Sequence, residues 1–419
     1  MNTMVTTAPA KRVLENGNGN GHKRVSADLA LSAEAGTLKR SVMRELLKLT
    51  VRPDVISLAG GLPASELLPL AELHECIDTV LRCDGARALQ YSPMIEPLRR
   101  WICDSMRAKG VACEAEQVFL TNGAQQGLTI LSRLFLDPGQ PAVIEAVTFT
   151  GIQQVTAGRG AAVRTVPTDL STGLDVDALE EALERKPRPR LAVVIPDFHN
   201  PLGVSLTIEK RQRIAELAAR YRVPVVEDDP YSPLRFAGQP LPPIKAFDEA
   251  GCVFYIGSFS KMLAPSLRLG WIVAPAALAA QVTVLRESID LESSTLIQRA
   301  VSLFVERGLI DGHLARFNAA NRCRRDLLFD ALNEHLGDVA TWTRPQGGLF
   351  VWLTLPDDID TWAMLDRAIA AGVAYVPGAA FAVNGGFRNT LRLNFSNVQP
   401  ELISVAVERL AGVVREMRK

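Results

Sequence analysis

Between Gln117 and Val273 the chain alternates short apolar runs with longer amphipathic ones, and this alternation restricts the folds open to it. The apolar runs are Gln117–Leu120, Ala142–Glu145, Ala162–Val166, Leu191–Ile195, Pro224–Glu227, Val253–Ile256 and Trp271–Val273. Helical periodicity marks Gln125–Leu136, Gly151–Arg159, Val176–Glu184, Ile208–Tyr221 and Ala277–Ile289. A strand with one wet face alternates apolar with polar residues, whereas a strand covered on both faces does not. The pattern therefore predicts an α/β fold: a three-layer α/β/α unit around a mostly parallel, seven-stranded sheet.

Helical patterns near Leu38–Thr50, Ala71–Leu81 and Leu98–Lys109 precede this unit, with ISLAGGLP (Ile56–Pro63) as an extended piece between the first two. After Leu309 the helices lengthen (Gly312–Glu334, Thr361–Ala371, Glu401–Met417) around strands at Gly348–Leu355 and Thr390–Asn394. That part reads as a smaller α+β domain. The expected divisions are a disordered tail over residues 1–26, a segment over 27–70 that packs on the small domain, a large domain over 71–308 and a small one over 309–419. The tail expectation rests on NGNGNG, which cannot bury enough surface to offset ordering entropy.

Composition narrows the function classes. Lys+Arg and Asp+Glu both number 46, so no basic excess points to nucleic acid. The six cysteines form no CxxC and the five histidines no HExxH, which argues against a zinc site or a disulfide framework and for a reducing cytoplasm. No apolar run reaches the roughly 18 residues that span a bilayer.

Ligands of open α/β sheets sit beyond the carboxyl ends of the strands, and four motifs fall there. DFHNPLG (Asp197–Gly203), DDPY (Asp228–Tyr231) and SFSK (Ser258–Lys261) follow strands, while TNGAQQG (Thr121–Gly127) joins a strand to a helix. Singly, each has a plain reading: a β-turn with Asn200 first and Pro201 second, a capping turn, a surface lysine, a helix start. Occurring together at strand ends they suggest one site, with helix amides facing an anion.

With ISLAGGLP, LQYSP, TNGAQQGL, DFHNPLG, EDDPYSPL, SFSKMLAPSLRLGW, PQGGLFVW and LRLNFS, the chain from about Leu38 onward resembles the fold type I, class I/II aminotransferases that use pyridoxal 5'-phosphate. The likeness is greatest to the 2-aminoadipate and kynurenine–aminoadipate aminotransferase subgroup. It implies that Lys261 forms a Schiff base with the cofactor aldehyde, helped by a pKa lowered by burial and by Arg268. Ser258, Ser260 and Arg268, with the Ala124 and Gln125 amides, would hold the phosphate. Asp228 would pair with the ring nitrogen, Asp229 being the competing candidate. Asn200 and Tyr231 would bond the ring 3'-oxygen, and Phe149 would stack on the ring. Tyr91 would reach the phosphate across a homodimer interface. Arg392 would clamp the substrate carboxylate, with Gly61 and Asn200 beside it.

Three positions depart from the family pattern: Val147-Thr148-Phe149 replaces Pro-Thr-Tyr, Ala124 replaces a serine, and QYSPMIEPLRR lacks a glycine-containing insertion. The implied reaction is a ping-pong transfer of the amino group from an L-amino acid to a 2-oxo acid, with Lys261 moving the α-proton. The partners expected are those two substrates and a second copy of the chain. Oxidase, lyase and decarboxylase chemistry on the same scaffold is the alternative; a regulator is disfavoured because too little chain precedes Leu38 for a DNA-binding domain.

Overall fold

The computed structural model describes residues 54–418, together with positions 32, 35 and 36. The expected tail and the helix near Leu38–Thr50 lie outside these residues. The large sheet is built from β2 (Val118–Thr121), β3 (Pro141–Glu145), β4 (Ala162–Val166), β7 (Leu191–Val194), β8 (Val225–Asp229), β9 (Val253–Ser258) and β10 (Gly270–Val273). Its order is β2-β10-β9-β8-β7-β3-β4. All neighbours run parallel except β10, which is antiparallel to both β2 and β9.

Successive strand residues supply two separate cores, as the two-residue period of a pleated strand requires. Ile144, Val193, Val226, Phe254 and Ile256 bury against α3 (Ala124–Phe135) and α8 (Ala279–Ile289) through Leu128, Leu131 and Val282. Val143, Ala192, Val194, Val225 and Val253 bury against α5 (Val176–Glu184) and α6 (Ile208–Tyr221) through Leu179, Leu183, Ile214 and Leu217. Asp175 and Thr207 start α5 and α6 by accepting backbone N–H bonds in the first turn.

Two strands run past their apolar cores. β8 continues through Asp228 and Asp229, and β9 through Gly257 and Ser258, because the ladder pairs Asp228 with Ile256 and Asp229 with Gly257. Polar residues at strand ends are held by backbone pairing whatever their polarity, so candidate site residues belong to the sheet itself. A helix that the periodicity did not single out, α9 (Thr295–Glu306), follows a Ser294 cap and packs on α1 (Leu70–Asp84).

The second sheet is antiparallel, in the order β11 (Thr341–Trp342), β12 (Phe350–Thr354), β15 (Thr390–Asn394), β14 (Val376–Pro377). It packs with α10 (Leu309–Leu336), α11 (Thr361–Ala370) and α12 (Pro400–Met417) in one core that includes Leu332, Trp352, Leu365, Leu393 and Leu410. The short β1 (Ile56–Ser57) pairs in parallel with β13 (Val373–Ala374), and Asn394 Nδ2 donates to the carbonyls of Gly60 and Leu62. Segment 56–62 is thus stitched to the second sheet while reaching toward the first. No helix among the described residues is long and apolar enough to cross a membrane.

Gly257 shows how tightly β9 and β10 close above the site. A Cβ there would lie 2.1 Å from the Trp271 ring, its partner across the ladder. Gly257→Ala is expected to destabilise the protein by about 1–3 kcal/mol through overpacking, read as a lowered Tm in thermal unfolding.

Candidate active site

The carboxyl ends of β2 and β9 form a cup. Gly123 (φ 81°) turns the chain into α3, whose first amides, Ala124 and Gln125, have no acceptor within the helix. Arg268 folds over this turn, donating to Asn122 O (3.0 Å) and to Ser260 Oγ (3.4 Å). It makes no ion pair among the described residues. A Cβ at position 123 would stand 2.7 Å from Arg268 Nη2, so glycine is needed both for its φ and for the guanidinium's place. Ser258 Oγ accepts from Ser260 N–H (3.1 Å), fixing the turn of α7 (Phe259–Met262) that carries Lys261. Amides, hydroxyls and a fork of N–H donors here face one small volume, as an anion requires.

Lys261 Nζ donates to Gly61 O at 2.7 Å. Burial lowers its pKa to about 8, with Arg392 and then Arg268 adding to the shift. The expectation had named burial and Arg268; Arg392, brought in from the second sheet, is the larger electrostatic contributor.

Adjacent acids on β8 meet opposite fates. Asp229 accepts from the Tyr255 hydroxyl (2.8 Å) and from Ser232 N–H (2.8 Å). Asp228, one residue earlier and facing the other way, is buried with its Oδ1 lacking any hydrogen-bond partner among the described residues. Burial, aided by the Asp229 charge, pushes its pKa up to about 7. A buried carboxylate oxygen without a donor calls for one, which separates the two candidates in favour of Asp228.

Asn200 and Tyr231 converge, Asn200 Nδ2 donating to the Tyr231 hydroxyl at 3.3 Å. The loop bearing Asn200 closes through Gly203 N–H to His199 O (2.6 Å), with a cis Asn200–Pro201 peptide. The turn therefore starts at His199 rather than at Asn200, as the sequence had suggested. Arg392, on β15, donates to Asn200 Oδ1 (2.8 Å) and to Ala59 O (2.7 Å). Its guanidinium lies between the rings of Phe350 (4.2 Å) and Phe381 (4.9 Å), and burial lowers its pKa to about 9.

Phe149 opens α4 (Thr150–Gly158) half-buried, and Gly151 keeps room for its ring: a Cβ there would sit 2.3 Å away. Tyr91 alone of the expected residues stays apart. It is 81 % exposed with no hydrogen bond among the described residues. The carbonyls of Ala59 and Gly61, and the rings of Phe350 and Phe381, were not assigned from the sequence as partners of Lys261 and Arg392. ISLAGGLP and PQGGLFVW carried that signal only as motifs.

The donor-lined cup, the amine and the unsatisfied carboxylate fit a phosphorylated aldehyde with a basic ring nitrogen, and this defines the class as pyridoxal-phosphate enzymes. The family model "Aminotransferase class I and II" matches residues 54–410. An aromatic-amino-acid aminotransferase of Thermococcus litoralis is 40% identical over 395 residues, covering 93% of this chain and 94% of its own. A 2-aminoadipate transaminase of Thermus thermophilus is 37% identical over 398 residues, covering 94% and 98%. A Pyrococcus horikoshii kynurenine aminotransferase structure superposes with a TM-score of 0.88 at 36% identity, covering 93% and 98%. The chain belongs to the class I and II aminotransferases. It is a fold type I, pyridoxal-phosphate-dependent transaminase, as the sequence reading expected.

An amine with a pKa of about 8 is largely protonated at pH 7 and largely neutral at pH 9. The rate at which cofactor-free protein captures pyridoxal phosphate is therefore expected to rise across this interval with a midpoint near 8. A midpoint near that of free lysine, about 10.4, in stopped-flow absorbance would contradict the assignment.

Proposed function

We propose that the transamination runs with Lys261 as the covalent anchor and proton carrier and Arg392 as the substrate clamp. The observation that supports this most is a shared tripeptide: Arg392 Nη2 and Lys261 Nζ each donate at 2.7 Å to the carbonyls of Ala59 and Gly61. Amine and guanidinium thus border the same three-residue segment, which suits an amino acid held by its carboxylate with its α-carbon beside the amine.

Pyridoxal phosphate supplies an electron-accepting ring that stabilises negative charge at the substrate α-carbon. The chain's residues do the rest. The Ala124 and Gln125 amides, Ser258, Ser260 and Arg268 hold the phosphate. Asp228 accepts the ring N–H and keeps that nitrogen protonated. Tyr231 and Asn200 donate to the ring 3'-oxygen, and Phe149 covers one face. Lys261, as a free amine, would take the α-proton and give it back on the far side of the substrate nitrogen, acting as base and then acid. Arg392, steadied by Asn200, binds the carboxylate of each substrate in turn, so the two half-reactions share one clamp.

The substrates are an L-amino acid and a 2-oxo acid, with large side chains accepted; the relatives named for aromatic amino acids, 2-aminoadipate and kynurenine support this. Residues 71–308 form the cofactor domain, 309–418 the small domain, and the described part of the 27–70 segment, residues 54–70, packs on the latter. Exposed Tyr91, with Leu89 beside it at 70 % exposure, serves the phosphate site of a second copy in a homodimer. Six unpaired cysteines suit the cytoplasm.

Lys261→Ala is expected to lose transamination together with the visible absorbance of the bound cofactor. Arg392→Lys keeps the charge but not the fork, and should lower kcat/KM by ~100-fold, about 3 kcal/mol, for every amino donor. Tyr91→Phe should weaken cofactor binding about fivefold, the loss of one hydrogen bond, while sedimentation reports a dimer. A panel of amino donors followed by the cofactor's spectral change defines the substrate range.

A further inference from the structure

Two neighbouring strand ends of the large sheet are joined by a buried polar pair that none of the roles above uses. Glu145 closes β3, and His199 lies on the loop after β7, the strand paired beside β3. Both are 1 % exposed, with His199 Nε2 2.9 Å from Glu145 Oε2. His199 Nδ1 accepts from Leu202 N–H (3.4 Å), so the neutral ring carries its proton on Nε2 and donates it to the carboxylate. Glu145 also accepts from the Thr168 hydroxyl (3.1 Å) and from Ile195 N–H (3.2 Å). Its carboxylate therefore gathers three donors from two separate segments.

Each member adjoins a site loop. Phe149 follows Glu145 by four residues, and Asn200 follows His199 directly. The His199 backbone is fixed too, its N–H donating to Val204 O at 2.8 Å. Asn200 in turn is bonded on both sides, to Arg392 and to Tyr231. A buried polar pair of this kind adds little net stability over an apolar pair of similar volume, so stability alone does not account for it.

We propose that Glu145 and His199 are positioning residues that hold Asn200 in register with Phe149, and thereby set the affinity and the proton equilibrium of the bound cofactor without touching it. This rests on the cofactor reading given above. If the pair works through hydrogen-bond geometry, substitutions that preserve donor and acceptor should be silent. Glu145→Gln can still accept from His199 and Ile195 while the Thr168 hydroxyl reverses; His199→Gln keeps a donor at the Nε2 position. Glu145→Leu and His199→Phe remove the bond.

The test uses purified holoenzyme and reads three quantities: the pH midpoint of the bound cofactor's visible absorbance, the cofactor Kd, and Tm. In Glu145→Leu and His199→Phe the midpoint is expected to rise by about 0.5–1 pH unit and the Kd by ~10-fold, as a bond to the ionised 3'-oxygen is loosened. Both glutamine variants should stay within about twofold of the parent in Kd, with an unmoved midpoint. If neither apolar variant folds, His199→Asn, which keeps a polar group near Leu202 but cannot reach Glu145, must show the same rise. A lowered Tm with parental midpoint and Kd would overturn the proposal, as would glutamine variants that shift as far as the apolar ones. A parent holoenzyme without a titrating visible band would refute the cofactor assignment and the pairing with it. A parental band that titrates, and does not move in His199→Phe, refutes the pairing alone.

Discussion

The site depends on a guanidinium held out of water. Burying a charge is costly unless polar partners replace its hydration, and separate parts of the chain converge to supply them to Arg392. β15 carries it, the loop after β7 offers Asn200 Oδ1, segment 59–61 offers a carbonyl, and Phe350 and Phe381 present their faces. Those acceptors are neutral dipoles, so a substrate carboxylate is a stronger partner than any of them. The same charge lowers the proton affinity of Lys261 across the cleft. One buried cation is therefore placed both to attract an acid group and to condition the amine of Lys261.

Opposite proton demands are kept apart by strand geometry. Asp228 and Asp229 are neighbours in sequence, yet the pleat sends one to the cleft and the other to Tyr255 and the Ser232 amide. Asp229, already satisfied, raises the proton affinity of Asp228 without competing for its ligand. The two acids thus do different work from almost the same place, and the β-strand's period of two makes the distinction.

Much of this was legible in the sequence. The seven runs became the seven strands of the large sheet; six of them are fully buried and leave a continuous apolar pattern, while β4 at the edge carries Arg164 and Thr165 and is only partly covered. Lys261, Asp228 and Asn200 stood out through motifs at predicted strand ends, and Arg392 through the family resemblance of LRLNFS. What escaped had physical reasons. β1, β13 and β14 are two residues long and exist only through tertiary pairing, so no local periodicity marks them. The carbonyls of Ala59 and Gly61 act through backbone atoms, which every residue possesses. His199 and Glu145 lie 54 residues apart, and neither is unusual until the sheet sets β3 beside β7.

The reversed strand β10 has a consequence for how such a site can be assembled. In a purely parallel sheet, only residues that follow strands arrive at the ligand-binding edge. Gly270, the first residue of β10, pairs with Thr121 and Ser258, the last residues of β2 and β9. Arg268 therefore reaches the cup from a segment that precedes a strand, between two that end there. Running one strand backwards gives the edge a second direction of supply, and the guanidinium that folds over the cup comes by that route.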